Sequence, residues 1–521
     1  MTGDTILACD LGTGGNKASL YDAGGACLAS AFVPYPTTYP RPGWHEQRPG
    51  DWWDAVVRST RLLGERGDLR GVRCITLSGH SLGAVPLDRS GRLLRETVPI
   101  WSDTRAEEQV RRFHRRVPGE RWYLKTGNGF PPACYPVFKV MWYRDREPDL
   151  YGRTAVVTGT KDYINYLMTG ELCTDYSYAS GSGVYDLRAW AYDPELIEAA
   201  GLDPGLFPRI VPSTGIVGRL TAEAARSLGL PPGLQVAAGG VDNSCMAVGA
   251  GNIEEGRVYT SLGSSSWIAL SSSEPVVDPG RRPFVFTHVI PGMFTSAVSI
   301  FAAGSALNWV KSTLCANVER EAEQAGRDAY ELLGELAAGS PVGARGLLFN
   351  PSLAGGSSQE DSPHIRGAFL GIDLAHTQAD LVRATFEGIA LNLASALEVL
   401  RGMRALSGTM VLVGGGSKSG LWRQIFADAY GMEILRTGVD QDAGALGAAA
   451  VGAVGSGLWE DFSPIDRVPG EAQRTRPIPE NARVYRSIRE VFDYGRHCLA
   501  ELGDMLHALE DKDHEDESSG V

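Results

Sequence analysis

Two glycine-rich turns, one near the start and one in the middle of the chain, constrain its fold more than any other feature. The first, Asp10-Leu-Gly-Thr13, follows an apolar run and precedes residues of alternating polarity, which predicts a β-hairpin. The second, Leu262-Gly-Ser-Ser265, lies between strand-like segments at 257–261 and 266–270, and a third strand is predicted at 293–300. This recurrence indicates an internal duplication in which each half opens with a hairpin whose tight turn contains Gly and Ser or Thr.

The length of the chain predicts two domains, because 521 residues suit two cores of roughly 200–250 residues each. We expect an N-terminal domain over 1–250, a C-terminal domain over 251–500 and an acidic tail over 501–521. The end of that tail is expected to be disordered, since it is charged and lacks periodicity.

Local patterns also predict several secondary-structure elements between the turns. Apolar residues at helical spacing predict a long buried helix at 378–401 and a shorter helix at 421–430. A strand is expected at 235–238 after a Pro-Pro-Gly turn, and Asp51 is the expected N-cap of an early helix.

Charge, cysteine usage and hydropathy exclude several classes of protein. A formal net charge of −13 argues against nucleic-acid binding, which normally requires a basic face. The N-terminus lacks the basic region and apolar run of a signal peptide, and no apolar stretch approaches the roughly 20 residues of a membrane helix. The eight cysteines are scattered without a Cys-x-x-Cys pair, which favours reduced thiols in a cytoplasmic protein.

The first turn contains hydrogen-bond donors that can bind phosphate. Backbone N–H groups of a Gly-rich turn can cradle phosphate oxygens, and Thr13 adds a hydroxyl. Asp10 could meet the metal ion of a nucleotide through water, as magnesium prefers. Each turn alone is better explained as an ordinary hairpin turn, but together they suggest two domains that each present a phosphate hairpin to one nucleotide.

A third segment, Val411-Leu-Val-Gly-Gly-Gly416, runs from a predicted strand into three glycines. Such bare backbone lets a flat base or a ribose approach closely. The chain lacks Gly-x-Gly-x-x-Gly, so a Rossmann site is not supported, and it lacks Gly-x4-Gly-Lys-Ser/Thr, so a P-loop is excluded as the phosphate site.

The segment Ala237-Ala-Gly-Gly-Val-Asp-Asn243 places an acid and an amide directly after a predicted strand. Phosphoryl transfer to a hydroxyl needs a group that takes or orients the hydroxyl proton, and a carboxylate at a strand end suits that task. The alternative is that Asp242 is the N-cap of the next helix.

In combination, these motifs resemble those of the FGGY carbohydrate kinases and, within that family, the xylulokinases. The second family signature is matched by Gly367-Ala-Phe-Leu-Gly-Ile372 and, seven residues later, by Asp380-Leu-Val-Arg-Ala-Thr-Phe-Glu387. The resemblance covers about residues 5–455. The motifs that occur in the order of the family are Asp10-Leu-Gly-Thr13, Trp44-His-Glu-Gln47 with Trp52-Trp53, Trp101-Ser-Asp-Thr-Arg105, Lys161-Asp-Tyr163, Gly239-Gly-Val-Asp-Asn243, Ser261-Leu-Gly-Ser264 and Gly414-Gly-Gly416.

The resemblance implies an α/β fold of two ribonuclease-H/actin-like (ASKHA) domains with a central cleft, and ATP with Mg²⁺ as phosphoryl donor. It implies Asp242 as the catalytic base, Asn243 as a sugar contact and Asp10 as the carboxylate that reaches the metal through water. It also implies a set of nucleotide-binding residues, which comprises Gly12, Thr13, Gly263, Ser264, Gly304, Asn308, Gly415, Gly416 and Gly420. The segment Asp442-Ala-Gly-Ala-Leu-Gly447 resembles the small-residue segment that packs beside the adenine.

The sugar-binding region departs from the xylulokinase pattern. Xylulokinases carry Gly-Gln-Met-His-Gly where this chain has Gly79-His-Ser-Leu-Gly83. Leu82 cannot donate a hydrogen bond to a sugar hydroxyl, and the loss of such a bond can change the substrate. We expect the sugar site to include His80, Ser81, Leu82, Trp101 and Asp103, although His80 is equally consistent with a core histidine.

Two further segments depart from the family. The usual Gly-Glu-Arg-Thr/Ser-Pro segment reads Gly355-Gly-Ser-Ser-Gln-Glu360 here. In the first family signature Cys134 replaces the usual residue, while Lys139 and Trp142 fit.

The predicted activity is transfer of the γ-phosphoryl group of ATP to a hydroxyl of a small sugar, D-xylulose or a related ketose. Glycerol, gluconate and ribulose-like acceptors remain open. An actin-like ATPase without kinase activity and a sugar-binding protein that has lost catalysis are the alternatives, because fold does not fix function. The expected partners are ATP or ADP and the sugar, with no nucleic acid and no membrane, and the family analogy allows a homodimer.

Overall fold

The computed structural model describes residues 3–357, 359–439, 442–468 and 472–519, with side chains described as far as Leu509. The described chain divides into two compact units. The first comprises residues 3–255, 271–296 and 442–468, and the second comprises residues 256–270, 297–439 and 472–519.

The first unit is organised around a mixed sheet that begins with the predicted hairpin. Its strands are β1 (Thr5–Gly12), β2 (Gly15–Asp22), β3 (Cys27–Pro34), β5 (Val72–Gly79), β13 (Ile216–Arg219), β14 (Gln235–Ala237) and β15 (Gly240–Val241). Their order is β13-β14-β5-β1-β2-β3, with β15 also paired to β5. β1 is antiparallel to β2 and parallel to β5, so β1 lies in the interior of the sheet and its carboxyl end lies beside that of β5.

Helices and short strands complete the first unit. The helices are α1 (Pro49–Arg66), α2 (Glu107–His114), α3 (Gly119–Thr126), α4 (Pro136–Arg146), α5 (Pro148–Arg153), α6 (Thr160–Thr169), α7 (Tyr176–Ala179), α8 (Pro194–Ala200), α9 (Ala222–Leu228), α10 (Asp242–Gly249) and α16 (Ala443–Gly455). The short strands are β4 (Glu46–Gln47), β6 (Val85–Leu87), β7 (Val98–Pro99), β8 (Val156–Thr158), β9 (Thr174–Asp175), β10 (Tyr185–Asp186), β11 (Ala191–Tyr192), β12 (Ile210–Val211) and β18 (Phe284–Thr287).

The first unit has two large apolar cores. One packs the main sheet against α1, α6 and α9 and includes Leu7, Trp52 and Ile164. The other surrounds α4 and contains Trp122 and Phe138, both fully buried. These two cores fix the ends of the strands from which the candidate site residues project.

The second unit repeats the pattern of the first hairpin. Its sheet contains β16 (Val258–Leu262), β17 (Ser266–Ser272), β19 (Phe294–Ile300), β22 (Thr409–Val413), β23 (Glu433–Arg436) and β24 (Gln473–Thr475), in the order β19-β17-β16-β22-β23-β24. β16 is antiparallel to β17 and parallel to β22, just as β1 is antiparallel to β2 and parallel to β5. The predicted internal duplication is confirmed by this shared pairing.

The remaining elements of the second unit are α11 (Gly304–Leu314), α12 (Ala316–Ala325), α13 (Ala329–Ala338), the strands β20 (Leu348–Asn350) and β21 (Ala368–Leu370), α14 (Gln378–Met403), α15 (Gly420–Tyr430) and α17 (Pro479–Ser519). A capping box of Thr377 and Asp380 starts α14, whose middle is buried. No helix in the described part of the chain is long and apolar enough to cross a membrane.

Most of the predicted elements are confirmed, and two features differ. The prediction of Asp51 as an N-cap is wrong, because α1 begins at Pro49 after Arg48 and Asp51 lies within its first turn. Proline suits the first helical position because it needs no amide hydrogen bond there. Residues 510–519, expected to lack order, continue α17 as helical backbone; their sequence contains neither Gly nor Pro to end the helix.

The contacts also group the chain differently from the predicted split after residue 250. They place α16 in the first unit, where it packs against α10, β1 and β5. Because α16 is distant from those elements in sequence, only long-range packing reveals this grouping.

Candidate active site

The first hairpin turn is held from outside by two side chains. Gln47 donates from Nε2 to the carbonyl oxygen of Thr13 at 2.7 Å. Trp101 donates from Nε1 to the hydroxyl oxygen of Thr13 at 3.0 Å. The hydroxyl hydrogen of Thr13 remains available to an acceptor, so the two contacts orient a donor at the exposed tip of the turn.

Asp10 lies at the carboxyl end of β1, opposite Lys17 on β2 and beside Ser78 on β5. Burial raises the pKa of the Asp10 carboxyl, and the Ser78 hydroxyl and the Lys17 charge offset only part of that rise. Lys17 also forms an ion pair with Asp442, the residue that precedes α16.

Helix α16 makes an unusually close approach to this strand end. A Cβ atom added to Gly444 would lie 2.6 Å from Oδ2 of Asp10, and one added to Gly447 would lie 1.7 Å from the carbonyl oxygen of Cys245. Glycine is therefore required at both positions if α16 is to pack against Asp10 and α10. The adenine contact expected for the 442–447 segment stays a prediction.

Asp242 is the first residue of α10 and follows the two-residue strand β15; the N-cap is Val241. Its Oδ1 accepts a hydrogen bond from the backbone N–H of Asn243 at 2.8 Å. Loss of hydration on burial raises the pKa of the Asp242 carboxyl to about 7, and the charge of Asp10 adds to the rise. The carboxyl therefore changes protonation near neutral pH, which suits a group that accepts a proton from a hydroxyl.

The structure places His80 in the core. Its ring meets Trp52 edge to face with ring centroids 5.6 Å apart, and Nδ1 lies 3.4 Å from Oγ1 of Thr160. Burial lowers the pKa of His80 to about 4, so its imidazole is neutral at pH 7. This packing fits the core-histidine alternative, and a sugar contact by His80 stays a prediction.

The Ser81 and Leu82 side chains are also buried, and Leu82 joins the core around α4. Leu82 has a φ of 59°, a conformation that is strained for a residue with a branched side chain. Lys139 donates from Nζ to the carbonyl oxygens of Leu82 at 2.9 Å and Ile100 at 2.6 Å. It therefore ties the 79–83 segment to the segment that presents Trp101.

Lys139 is a site-supporting residue that was not predicted as one. Burial lowers the pKa of its ammonium group to about 8. The only sequence signal for Lys139 was its fit to the first family signature. That signal gives no indication that the side chain bridges two backbone carbonyls.

Asp103 and Trp101 have different environments. Asp103 is fully buried and binds Arg105 through both carboxylate oxygens, at 2.9 Å and 2.7 Å. It also accepts a hydrogen bond from the backbone N–H of His45 at 2.7 Å. Trp101 is 37% exposed, so it is the more accessible of the two to a ligand.

The second hairpin turn, in the other unit, is bound to the start of α11. The carbonyl oxygen of Ser264 accepts hydrogen bonds from the backbone N–H groups of Ala303 at 2.9 Å and Ser305 at 3.0 Å. A Cβ atom on Gly304 would lie 2.5 Å from the carbonyl oxygen of Gly263. The structure thus brings together Gly263, Ser264 and Gly304, three of the predicted nucleotide-binding residues.

The triple-glycine segment lies against the same turn. A Cβ atom on Gly416 would lie 2.3 Å from Cδ2 of Leu262, the last residue of β16, and Gly415 begins the short helical turn that contains Gly416. Gly420 starts α15. Asn308 lies one turn into α11, where its Oδ1 accepts a hydrogen bond from the hydroxyl group of Tyr330 at 3.1 Å.

The described residues contain no group of three or more His, Cys, Asp and Glu side chains that could hold a metal ion. Magnesium does not need such a cage when phosphate oxygens and water supply most of its ligands. The carboxylate of Asp10, partly buried at the end of a strand, fits a magnesium ion whose other ligands are phosphate oxygens and water.

Comparisons with known proteins match nearly the whole chain. The model of the N-terminal domain of the FGGY family of carbohydrate kinases matches residues 5–249, and that of the C-terminal domain matches residues 258–456. The chain is 30% identical to the xylulose kinase of Bacillus subtilis (strain 168) over 510 residues, which cover 97% of this chain and 98% of the relative.

Two solved structures are similar over the same extent. The ligand-bound xylulose kinase from Lactobacillus acidophilus has a TM-score of 0.87 at 26% identity and covers 95% of this chain and 98% of its own. The gluconate kinase from Lactobacillus acidophilus has a TM-score of 0.86 at 25% identity and covers 96% and 99%. The predicted fold and family are confirmed: the chain belongs to the FGGY family of carbohydrate kinases and is an ATP-dependent sugar kinase with the two-domain, actin-like fold.

Proposed function

We propose that this kinase transfers the γ-phosphoryl group of ATP to a hydroxyl of D-xylulose or a related ketose, with Asp242 as the general base. The observation that carries the proposal is the carboxyl of Asp242, which is presented at the start of α10 with its pKa raised to about 7. A general base is most effective when its pKa lies near the working pH.

The proposed step is a direct in-line transfer. The sugar hydroxyl oxygen forms a bond to the γ-phosphorus while the bond from that phosphorus to the bridging oxygen of ADP breaks. The hydroxyl proton passes to Asp242, and the products are a sugar phosphate and ADP. Asn243 follows Asp242 at the start of α10, and we propose that its amide group helps to hold the sugar.

We propose that the two hairpin turns bind the phosphates. Thr13 and Ser264 are exposed at the tips of their turns, where hydroxyl and backbone N–H groups can donate to phosphate oxygens. Gly12 and Gly263 allow the close approach that such contacts need. The remaining predicted nucleotide-binding residues are assigned to the other parts of the nucleotide, and they are Gly304, Asn308, Gly415, Gly416 and Gly420.

A magnesium ion is proposed to accompany ATP, with Asp10 as its protein partner through water. Bound there, the ion would neutralise charge on the phosphates that the Thr13 turn orients. Asp10 itself would hold the hydration shell of the ion, since its carboxylate is fixed by β1 and by the close packing of Gly444.

D-Xylulose is the leading acceptor because the xylulose kinases named above match over nearly the full chain. The main argument for a different acceptor is the 79–83 segment, in which Ser81 and Leu82 are buried. Trp101 and Asn243 are then the leading sugar contacts. Gluconate is the second candidate, because the gluconate kinase structure is almost equally similar.

The test is ADP release from Mg-ATP by the purified protein with a panel of acceptors that includes D-xylulose, D-ribulose, ketohexoses, glycerol and gluconate. We expect release that depends on D-xylulose and falls by roughly 10³-fold in Asp242→Asn, within the range that loss of a general base causes. Turnover with gluconate or glycerol instead of a ketose would reject the acceptor but retain the kinase mechanism. Near-normal turnover by Asp242→Asn would remove Asp242 from the role of base.

Two outcomes would favour the non-kinase alternatives. ADP release that no acceptor stimulates would fit an actin-like ATPase. ATP binding without turnover on the whole panel would fit a sugar-binding protein.

All eight cysteines are free thiols in the structure, and we propose that the enzyme acts in the reducing environment of the cytoplasm.

A further inference from the structure

Three charged side chains are buried together at the starts of α6 and α7. Lys161 and Asp162 belong to the Lys161-Asp-Tyr163 motif in the first turn of α6, and Asp175 is the N-cap of α7. Nζ of Lys161 lies 2.5 Å from Oδ1 of Asp162 and 2.8 Å from Oδ1 of Asp175. None of the three is more than 1% exposed, and we call them the Lys161 cluster.

The Lys161 cluster keeps its charges in the interior of the first unit. Burial alone would lower the pKa of Lys161, but the carboxylates of Asp162 and Asp175 raise it above its ordinary value. The ammonium group is therefore charged at neutral pH. A buried ion pair rarely stabilises a fold more than apolar side chains of the same size would, so stability alone does not explain the cluster.

Lys161 binds the segment that leads to the proposed catalytic base. Residues 238–241 connect the end of β14 to Asp242. Nζ of Lys161 donates a hydrogen bond to the carbonyl oxygen of Ala238 at 3.1 Å, and Nδ2 of Asn165 donates to the same oxygen at 2.9 Å. The lysine therefore anchors the point at which the chain leaves β14.

Asp175 reaches the same segment through two serines. Its Oδ2 accepts hydrogen bonds from the hydroxyl of Ser177 at 2.5 Å and from the hydroxyl of Ser213 at 2.6 Å. The hydroxyl oxygen of Ser177 accepts a hydrogen bond from the backbone N–H of Val241 at 2.9 Å. The carbonyl oxygen of Ser213 accepts one from the backbone N–H of Gly239 at 3.0 Å. One carboxylate thus orients both serines that bind the segment.

The 238–241 segment needs such contacts because it contains two consecutive glycines. Gly239 has a φ of 75°, in the left-handed region that glycine adopts readily. Backbone of this kind has few side chains of its own to pack, so hydrogen bonds largely determine its conformation. Three of these bonds lead to Lys161 or to the serines that Asp175 orients.

Asp242 follows this segment directly and is the first residue of α10. We propose that the Lys161 cluster positions the catalytic base, by fixing the 238–241 backbone and so the place of the Asp242 carboxylate relative to the sugar hydroxyl. The inference rests on the proposed role of Asp242 as general base. Lys161, Asp175 and Ser177 are positioning residues, since none of them is proposed to touch the substrate.

The first experiment removes the Ser177 hydroxyl, which is the contact nearest to the base. In Ser177→Ala the backbone N–H of Val241 loses its acceptor. We expect kcat with the most active acceptor of the panel to fall on the order of ten-fold, because a displacement of about 1 Å at a catalytic group can cost even more. The KM for ATP should not change.

Ser180→Ala is the matched control. Ser180 is as fully buried as Ser177, and its hydroxyl also accepts a hydrogen bond from a backbone N–H, but from that of Thr287. The substitution therefore removes the same atoms without touching the 238–241 segment. We expect the kcat of Ser180→Ala to remain near the wild-type value, and an equal loss of kcat in both variants would overturn the proposal.

A double-mutant cycle with Asp242→Asn separates positioning of the base from general loss of structure. If the Ser177 hydroxyl acts through Asp242, its removal should have almost no further effect on kcat once Asp242→Asn has removed the base. A substitution that only loosens the fold would lower kcat by the same factor in both backgrounds. Equal factors would contradict positioning.

Hydrogen exchange tests the contact without any turnover. We expect the amide of Val241, followed by mass spectrometry of peptides that cover residues 238–242, to exchange faster in Ser177→Ala than in the wild type or Ser180→Ala. Only Ser177→Ala removes the acceptor that protects this amide. Unchanged exchange would show that the hydroxyl does not hold the segment, and the proposal would fail.

Asp175→Asn tests the centre of the network. It removes the charge that pairs with Lys161 and an oxygen that both serines need, so we expect kcat to fall on the order of 100-fold. Loss of one member of a buried ion pair can prevent folding, and protection by bound nucleotide against thermal unfolding identifies a folded variant. A folded Asp175→Asn protein with normal kcat would overturn the role of the cluster, and if the variant does not fold, Ser177→Ala decides.

These outcomes also separate the inference from the proposed function. Near-normal turnover by Asp242→Asn would reject Asp242 as the base and the inference with it. Loss of turnover in Asp242→Asn together with wild-type kcat in Ser177→Ala would overturn the inference alone, and the assignment of the base would stand.

Discussion

Gly444 lies so close to Asp10 that a single methyl group on the glycine would sit 2.6 Å from the Oδ2 atom of the carboxylate. The two residues are more than 400 positions apart in the sequence, and α16 brings them together in the first unit. A heavy-atom separation of that size is too short for a carbon and an oxygen that are not bonded, so either α16 or the carboxylate would have to move. The position of Asp10 thus depends on the small size of residue 444.

We predict that Gly444→Ala lowers kcat/KM on the order of 100-fold while the protein stays folded. A displacement of about 1 Å at a catalytic group can cost that much. The measurement is steady-state ADP release together with circular dichroism. Gly152→Ala is the control, since a Cβ atom there meets nothing within 4 Å. Equal activity of the two variants would show that the geometry of Asp10 does not limit the reaction.

The pH dependence of turnover should report Asp242. Its carboxyl must be ionised to accept the hydroxyl proton, and its pKa is raised to about 7. We expect kcat/KM for the sugar to rise roughly ten-fold per pH unit below that value and to level off above it. The measurement is a pH profile at saturating Mg-ATP, with nucleotide affinity followed in parallel. A flat profile between pH 5.5 and 8 would contradict the assignment.

The same carboxyl should also affect stability. Its pKa is raised in the folded protein from 3.8 to about 7, so the unfolded chain releases the proton first as the pH rises. The native state therefore loses stability between those two values, and Asp242→Asn avoids that loss. We expect the variant to exceed the wild type in free energy of unfolding by on the order of 4 kcal/mol at pH 8, and by less than half of that at pH 5. Denaturant titrations at both pH values measure the difference, and a gain that does not change with pH would refute the explanation.

Gly304 offers a test in the second unit. A methyl group there would lie 2.5 Å from the carbonyl oxygen of Gly263 and would push α11 away from the hairpin turn. We expect Gly304→Ala to raise the KM for ATP roughly ten-fold and to leave the KM for the sugar nearly unchanged, because phosphate contacts depend on exact positioning. Gly402→Ala, in an open position of α14, is the control. A rise in both KM values would show that the effect of the substitution is not confined to the nucleotide site.

The sequence predicted best what local rules determine. A glycine-containing turn between strand-like segments predicts each hairpin. The structure places the two turns at residues 13–14 and 263–265. The capped, periodic helix α14 was predicted within two residues of its end. The start of α1 was missed because a proline at the first helical position and an aspartate in the first turn give overlapping signals.

Contacts between distant segments could not be predicted in the same way. Nothing in residues 442–447 indicates that Gly444 abuts Asp10, since small residues suit any close helix packing. Likewise His80 and Leu82 carry no signal for their burial, because neighbours from α1, α4 and α6 create it. Sequence motifs found the segments of the site, but which side chains of each segment face a ligand depends on packing.

Lys139 provides the test of that packing. Its ammonium group joins the carbonyl oxygens of Leu82 and Ile100, so it fixes the 79–83 segment relative to the residue that precedes Trp101. We predict that Lys139→Met raises the KM for the sugar roughly ten-fold and leaves the KM for ATP unchanged. The apolar side chain is similar in length but leaves two buried carbonyls unpaired, which should destabilise the fold by about 2 kcal/mol.

The titration of Lys139 shows that the buried ammonium group has been removed, and the KM for the sugar then distinguishes positioning from simple packing. Burial lowers the pKa of Lys139 from 10.5 to about 8, so between those values the unfolded chain binds more protons and the wild type gains stability as the pH rises. Lys139→Met should lack that increment, which is the gain in free energy of unfolding between pH 7.5 and pH 9.5. Loss of the increment with an unchanged KM for the sugar would make Lys139 a residue of the core alone. Loss of the increment together with the rise in that KM would establish that the lysine positions the sugar-binding segments.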